Sequence, residues 1–365
     1  MQRRFRWMSG GLATVALAAV LAACGSSGSS GTTTGTTTGT TTSGSSSSGL
    51  KFTSVAIATP AKTNDYGWNA QGVNGLTHAA GGYGLHIKVV QNIGYNNTDS
   101  VLRELANSSP KPGLVVAHAS GYDTSAQKIS NETGVPMITY DIPTMLKKGT
   151  LSNITTSSQQ GAYLAGILAA HMTKTNKVGV IISASDTNWY EMAGGFAAGV
   201  HSVKPGMPIV FGQIGPASYD DSAGGKRVAE TVIASGADVI FAMGDQSSFG
   251  YLQAISTAKP GHKLWYIGDI GDMTPIDTAH VLLSSVLWNF DGAYKQALTD
   301  IKNGTFGTHG YNLTLSNGGI ALLRTHYIPA SVWARILVAQ KGIESGKIMV
   351  PDTTTASAAK KEING

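Results

Sequence analysis

From residue 51 onward, short β-branched runs alternate with longer stretches rich in Ala and Gly. This is the pattern of parallel strands joined by crossover helices. Strands are predicted over 54–58, 85–90, 113–118 and 135–139, and a second series over 177–182, 208–213, 237–243 and 263–267. Between them, segments 67–80, 98–108, 124–133, 159–172, 192–202, 222–235 and 248–258 are of helix length. Their apolar residues recur every three or four positions. Near the C-terminus, 331–345 reads as an amphipathic helix with Val332, Ile336, Val338 and Ala339 turned inward, and 348–351 as a last short strand.

Two similar strand–helix series predict an α/β protein of two lobes. The runs Gly113-Leu-Val-Val-Ala and Ala237-Asp-Val-Ile-Phe-Ala are almost continuously apolar, so their strands are covered on both faces, as in doubly wound sheets. Ligands of such sheets gather beyond the carboxyl ends of the strands. That rule selects the loops 59–69, 119–123, 140–143, 183–190, 215–221, 244–249 and 268–273. All are rich in Asp, Asn, Ser, Gly and aromatic residues that hydrogen-bond and stack on a small polar molecule.

The pattern before residue 50 is different. Arg3, Arg4 and Arg6 precede an apolar run over 12–23, which ends at Leu21-Ala22-Ala23 before Cys24, the only cysteine. A basic head, a short apolar middle and small residues at the cut predict a signal peptide over 1–23. About twelve apolar residues are too few to span a bilayer comfortably. The sequence around Cys24 resembles a bacterial lipoprotein signal, which implies a lipidated Cys24 and an extracytoplasmic protein tethered to the cell membrane. Residues 25–49 are Gly, Ser and Thr only, a composition with nothing to bury. As a flexible coil this linker reaches about 25–30 Å.

The leader also accounts for much of the positive charge. The chain is +5 with 26 Lys and Arg against 21 Asp and Glu, and three of those cations are the leader arginines. The remainder is close to neutral, which excludes a polybasic nucleic-acid surface. Catalytic signatures are missing as well. No phosphate-cradling Gly-x-x-x-x-Gly-Lys-Ser/Thr or His-Glu-x-x-His occurs, no Gly-x-Ser-x-Gly elbow follows a strand, and the nine histidines are scattered singly. The expectation is a binding protein without a metal or cofactor.

Specific motifs carry a resemblance. Asn64-Asp65-Tyr66-Gly67-Trp68-Asn69 opens the first helix. Gly121, Ile138-Thr139-Tyr140-Asp141 and Gln160-Gly-Ala-Tyr-Leu-Ala-Gly166 follow, then Ser218-Tyr219-Asp220-Asp221, Gly225-Lys226, Gly236-Ala-Asp-Val-Ile-Phe241, Ile267-Gly268 and Leu282-Leu-Ser-Ser-Val286. In this order, over about residues 51–325, they resemble the basic membrane protein family of substrate-binding lipoproteins of ABC importers, many of them nucleoside receptors.

The resemblance implies a type I periplasmic-binding fold, with two Rossmann-like lobes closing on a ligand. One lobe is expected from 50–155 with about 285–318, and the other from about 156–284 with 319–365. Trp68 and Tyr219 would sandwich a base, Asn69 would read its edge, and Asp141 with Asp269 or Asp272 would accept from ribose hydroxyls or base nitrogens. Asp65 has a competing role as a helix cap. Where the family usually carries a lysine after Ser-Val-Val, this chain has Trp288, which removes a donor and adds an aromatic wall. A flat heteroaromatic or cationic amine therefore stays open beside a nucleoside. The implied partners are an ABC permease and ATPase, with the receptor a monomer. A ligand-presenting sensory receptor and a nucleoside hydrolase are the rival readings.

Overall fold

A computed structural model describes residues 49–365. The expected signal peptide, Cys24 and the linker as far as residue 48 lie outside the described residues. In chain order the first half contains β1 (Ser54–Ala58), α1 (Trp68–Gly81), β2 (His86–Val90), α2 (Thr98–Ala106), β3 (Val115–Ala117), α3 (Asp123–Thr133), β4 (Met137–Tyr140) and β5 (Leu151–Thr156). The second half begins with α4 (Ser158–Met172), β6 (Val178–Ile182), α5 (Thr187–Val203), β7 (Ile209–Gln213), α6 (Ser222–Ala234), β8 (Val239–Met243), α7 (Ser247–Thr257) and β9 (Trp265–Ile270). It ends with β10 (Leu282–Trp288), α8 (Asp291–Asn303), β11 (Tyr311–Leu313), β12 (Ile320–Leu322), α9 (Ala330–Glu344) and α10 (Ala356–Asn364).

These strands make two six-stranded sheets, ordered β11-β5-β4-β3-β1-β2 and β12-β10-β9-β8-β6-β7. Every pairing is parallel except β10 with β12. The central strands β1, β3, β6 and β8 are buried along their whole length, as their unbroken apolar runs predict. Edge strands β2 and β7 are only partly covered. The result is the expected α/β fold of two parallel-sheet lobes.

Small residues set the spacing of α4 and α5, which pack against each other. A Cβ on Gly166 would lie 2.1 Å from the Phe196 carbonyl oxygen, and one on Gly199 would lie 2.1 Å from that of Tyr163. The Ala/Gly richness of both helices is therefore a packing requirement, because the two backbones touch directly.

The chain passes between the sheets three times: from β5 into α4, from β10 into α8, and from β11 into β12. Backbone hydrogen bonds lace these crossings together. Ser157 N–H donates to the Leu313 carbonyl at 2.8 Å, and Asn289 N–H to that of Gly319 at 2.7 Å. β10 stays paired in the second sheet through Trp288, so the crossing expected near 285 follows Trp288.

Two C-terminal expectations need correction. Residues 348–351 are not a strand, because no neighbouring strand is there to pair with them, and Met349 is 89% exposed. In α9, Ile336 and Ala339 face inward but Val338 is 72% exposed, since two successive helical positions point about 100° apart. α9 packs on α4 and α10 on α5. Among the described residues no helix is long and apolar enough to cross a membrane.

Candidate functional site

Beyond the carboxyl ends of both sheets lies a cavity of about 310 Å³. Loops of the first sheet supply Pro60, Ala61, Trp68, Gly94, Tyr95, Ala119 and Ser120, while the second supplies Asp186, Asn188, Trp189, Tyr219, Asp220, Asp245, Ile270 and Trp288. The predicted Trp68, Tyr219 and Trp288 thus meet at one opening.

Trp68 is held from behind. Its indole stacks on His118 with ring centroids 4.3 Å apart and planes 15° from parallel, and its Nε1–H donates to the His118 carbonyl at 3.1 Å. His118 is fully buried. Its Nε2 lies 2.8 Å from the Trp68 carbonyl oxygen, which only accepts, so Nε2 carries the proton. Its Nδ1 then accepts from the Tyr140 hydroxyl at 2.7 Å, and Tyr140 in turn accepts from Tyr294 at 2.6 Å. Burial pushes the His118 pKa down to about 3, so the imidazole is neutral, as this chain of donors requires. Trp288 and Phe290 meet the Trp68 ring edge-on at 6.0 and 5.5 Å.

The opposite wall is built around Asp186. This residue caps α5 by accepting from the Asn188 backbone N–H at 2.8 Å, and its other oxygen accepts from the Tyr219 hydroxyl at 2.9 Å. The backbone N–H of Asp245 donates to the Tyr219 carbonyl at 3.1 Å, and the Gln246 N–H to Asp220 Oδ1 at 3.3 Å. The loops after β7 and β8 are thereby tied to each other. Asp245 is 9% exposed, and its Oδ1 has no hydrogen-bond partner. Burial, followed by Asp65, Asp220 and Asp269, pushes its carboxyl well above the usual carboxylate range. The indole N–H groups of Trp189 and Trp288 are also buried without an acceptor. Burial and then Asp245, Asp186 and Asp220 raise the Tyr95 phenol to about 12.

The other predicted residues sit behind or beside this cavity. Asp65 is fully engaged, accepting from the backbone N–H groups of Gly67, Asn69 and Ala70 and from the Asn69 side-chain amide. It is a helix cap, the competing role noted from its position before α1. Asn69 is buried, and its side-chain carbonyl accepts from the Ala61 N–H at 3.4 Å, so its amide is spent holding the loop after β1. Asp269 lies buried behind the wall and accepts from the Gly244 N–H at 3.3 Å. Asp272 is exposed and caps a local turn through the Thr274 N–H at 2.8 Å. Asp141 borders the cavity one residue removed, accepting from the Ser120 hydroxyl. Burial first, opposed by that bond, brings its pKa to about 6.

Motif reasoning missed Asp186, Asn188, Trp189 and Asp245 as site residues, although the strand-end rule had already marked their loops. Asp220 belonged to a quoted motif without a role. Tyr95 follows edge strand β2, and no rule marked its loop. Aromatic rings and acids gathered at one opening are suited to holding a small polar solute.

Comparison with known proteins identifies the family. The family described as "ABC transporter substrate-binding protein PnrA-like" (Bmp) matches residues 52–350. The chain is 28% identical over 319 residues to the ABC transporter nucleoside-binding protein BmpA of Lactococcus lactis, covering 81% of this chain and 88% of that one. It is 26% identical to the transcriptional activator protein med of Bacillus subtilis, covering 75% and 83%. An ABC transporter solute-binding protein from Conexibacter woesei superposes with a TM-score of 0.69 at 22% identity, covering 82% and 99%. That likeness bears on the fold.

Proposed function

Because the chain belongs to the Bmp family of ABC transporter substrate-binding proteins, we propose that it captures a small, planar, polar solute of the nucleoside class between its lobes and delivers it to a permease–ATPase pair. No covalent step is involved. The reading rests chiefly on the cavity at the carboxyl ends of both sheets, lined by Trp68 with the adjoining Trp288 and by Tyr219. Its volume of about 310 Å³ falls at the lower end of the range for small-molecule sites. The nucleoside class is supported by the name of the Lactococcus relative and by the aromatic walls, since a base presents two faces to stack. The leader and Cys24 support a lipid tether at the outer face of the membrane, where two acyl chains hold firmly.

Titration calorimetry of the full chain in detergent against purine and pyrimidine nucleosides tests the proposal. A nucleoside is expected to bind, and Trp68→Ala to weaken it by about 1–3 kcal/mol, a roughly five- to 150-fold rise in Kd. A chain that binds no nucleoside, or binds one equally well without the Trp68 ring, overturns the reading. Failure of a gene-deleted strain to take up the same labelled nucleoside separates delivery to a permease from sensing.

A further inference from the structure

We propose that this cavity prefers solutes bearing a positive charge on a flat ring, such as a cationic nucleoside, over their neutral counterparts; the proposal rests on the solute-receptor reading above. Among the described residues the lining contains three acids, Asp186, Asp220 and Asp245, and no lysine, arginine or histidine. Aromatic rings make up much of the remaining wall, and a cation over such rings is attracted to their negative faces.

Desolvating carboxylates costs free energy unless something of opposite charge accompanies them. Asp186 and Asp220 are partly answered by hydrogen bonds from Tyr219, Asn188 and Gln246. Asp245 is more than nine-tenths buried and lines the cavity; burial and then its acidic neighbours Asp65, Asp220 and Asp269 push its carboxyl well above the usual carboxylate range, opposed by the Trp68 backbone N–H. Closing the lobes over a neutral guest would remove water from Asp186 and Asp220 and supply no countercharge. A cationic ring supplies it within the cavity and stacks on the walls in the same pose.

The three acids surround Tyr95, which lines the same cavity, and burial followed by these acids raises its phenol to about 12. The fitting guest is a flat cationic ring on a neutral sugar, and a pyridinium carboxamide riboside has this chemistry.

The test is titration calorimetry on the full chain in detergent with two matched pairs. One is nicotinamide riboside against its neutral 1,4-dihydro form, and the other is 1-methyladenosine, cationic at neutral pH, against adenosine. The cation of each pair is expected to bind at least tenfold more tightly. Asp220→Asn, at an exposed position, and Asp245→Asn, inside the wall, are expected to shrink that ratio below threefold, with folding checked by thermal melts. If either variant fails to fold, the matched pairs on the native chain still decide. Equal affinities, or tighter binding of the neutral members, overturn the cation preference and leave the nucleoside receptor standing. Equal weakening of both members by the Asn variants also overturns it, since the acids would then be structural only. Binding of neither member of either pair, with no other nucleoside bound, overturns both proposals.

Discussion

Replacing His118 with glutamine tests the physical basis of the Trp68 wall. The imidazole is fully buried beneath that indole, and its two nitrogens are committed to the Trp68 carbonyl and the Tyr140 hydroxyl. Its pKa falls from an ordinary 6.5 to about 3 because burial opposes the charged form. An unfolded chain takes up this proton near pH 6.5, whereas the folded one refuses it down to about 3. The contribution is therefore fully present above pH 6.5 and is lost as pH falls through that window. The whole shift corresponds to about 5 kcal/mol, of which about 3 kcal/mol is lost by pH 4.5. Asp141, at about 6, and Glu191, at about 8, act in the opposite sense, because the folded state keeps their protons where the unfolded chain releases them. The native profile is thus a mixture, and only the difference between native and His118→Gln chains isolates the histidine. Urea unfolding at pH 7.5 and 4.5 measures that difference. The variant is expected to be less stable at pH 7.5 by about 2–4 kcal/mol, from disturbed buried hydrogen bonds. This deficit should shrink, or reverse, by about 3 kcal/mol at pH 4.5. A deficit that does not change with pH would refute the buried neutral imidazole, and with it the account of how Trp68 is held.

Other perturbations probe separate parts of the molecule. Gly199→Ala drives a methyl group into the Tyr163 carbonyl at 2.1 Å and is expected to cost about 3 kcal/mol, read as a lowered melting temperature; an unchanged melt would mean that α4 and α5 separate freely. Glu191 is raised to about 8 by burial first and then by Asp352, so its contribution to stability falls as pH rises from about 4.5 to 8. Glu191→Gln should flatten that part of the urea profile, and a decline equal to that of the native chain would count against the assignment. Tyr219→Phe removes the hydroxyl that donates to Asp186 and is expected to lower stability by about 1 kcal/mol, while nucleoside affinity by calorimetry changes less than for Trp68→Ala.

The two sheets were legible because their central strands are covered on both faces, which writes an apolar run straight into the sequence. β5, β11 and β12 left no such trace. Ser152, Asn153, Thr155 and Thr156 in β5 are polar, and β11 and β12 are three residues each, so neighbouring strands recruit them. α8 carries Ala293, Tyr294, Ala297 and Leu298 inward, a stripe that was there to be read between Asp291 and Gly304. At the site, the strand-end rule marked loops that line the cavity but could not say which carboxylate faces the opening. Asp65 and Asp269 have the same side chain as Asp186 and Asp245. What separates them is the backbone N–H groups each finds after folding, and those partners are arranged by tertiary structure. Asn69, attractive as a reader of base edges, was lost to the same competition for local donors and acceptors.

The lacing of the three crossings, Ser157 to Leu313 and Asn289 to Gly319, bears on how a guest is captured. A single tether would let the halves wander and swivel, and ordering them would consume much of the attraction supplied by the rings. For the receptor proposed above, three stitched straps would oppose the swivel and favour a nodding motion about one seam. The jaws would then meet already aligned, with little configurational freedom left to surrender, which would bring tight capture within reach of a small guest with few contacts.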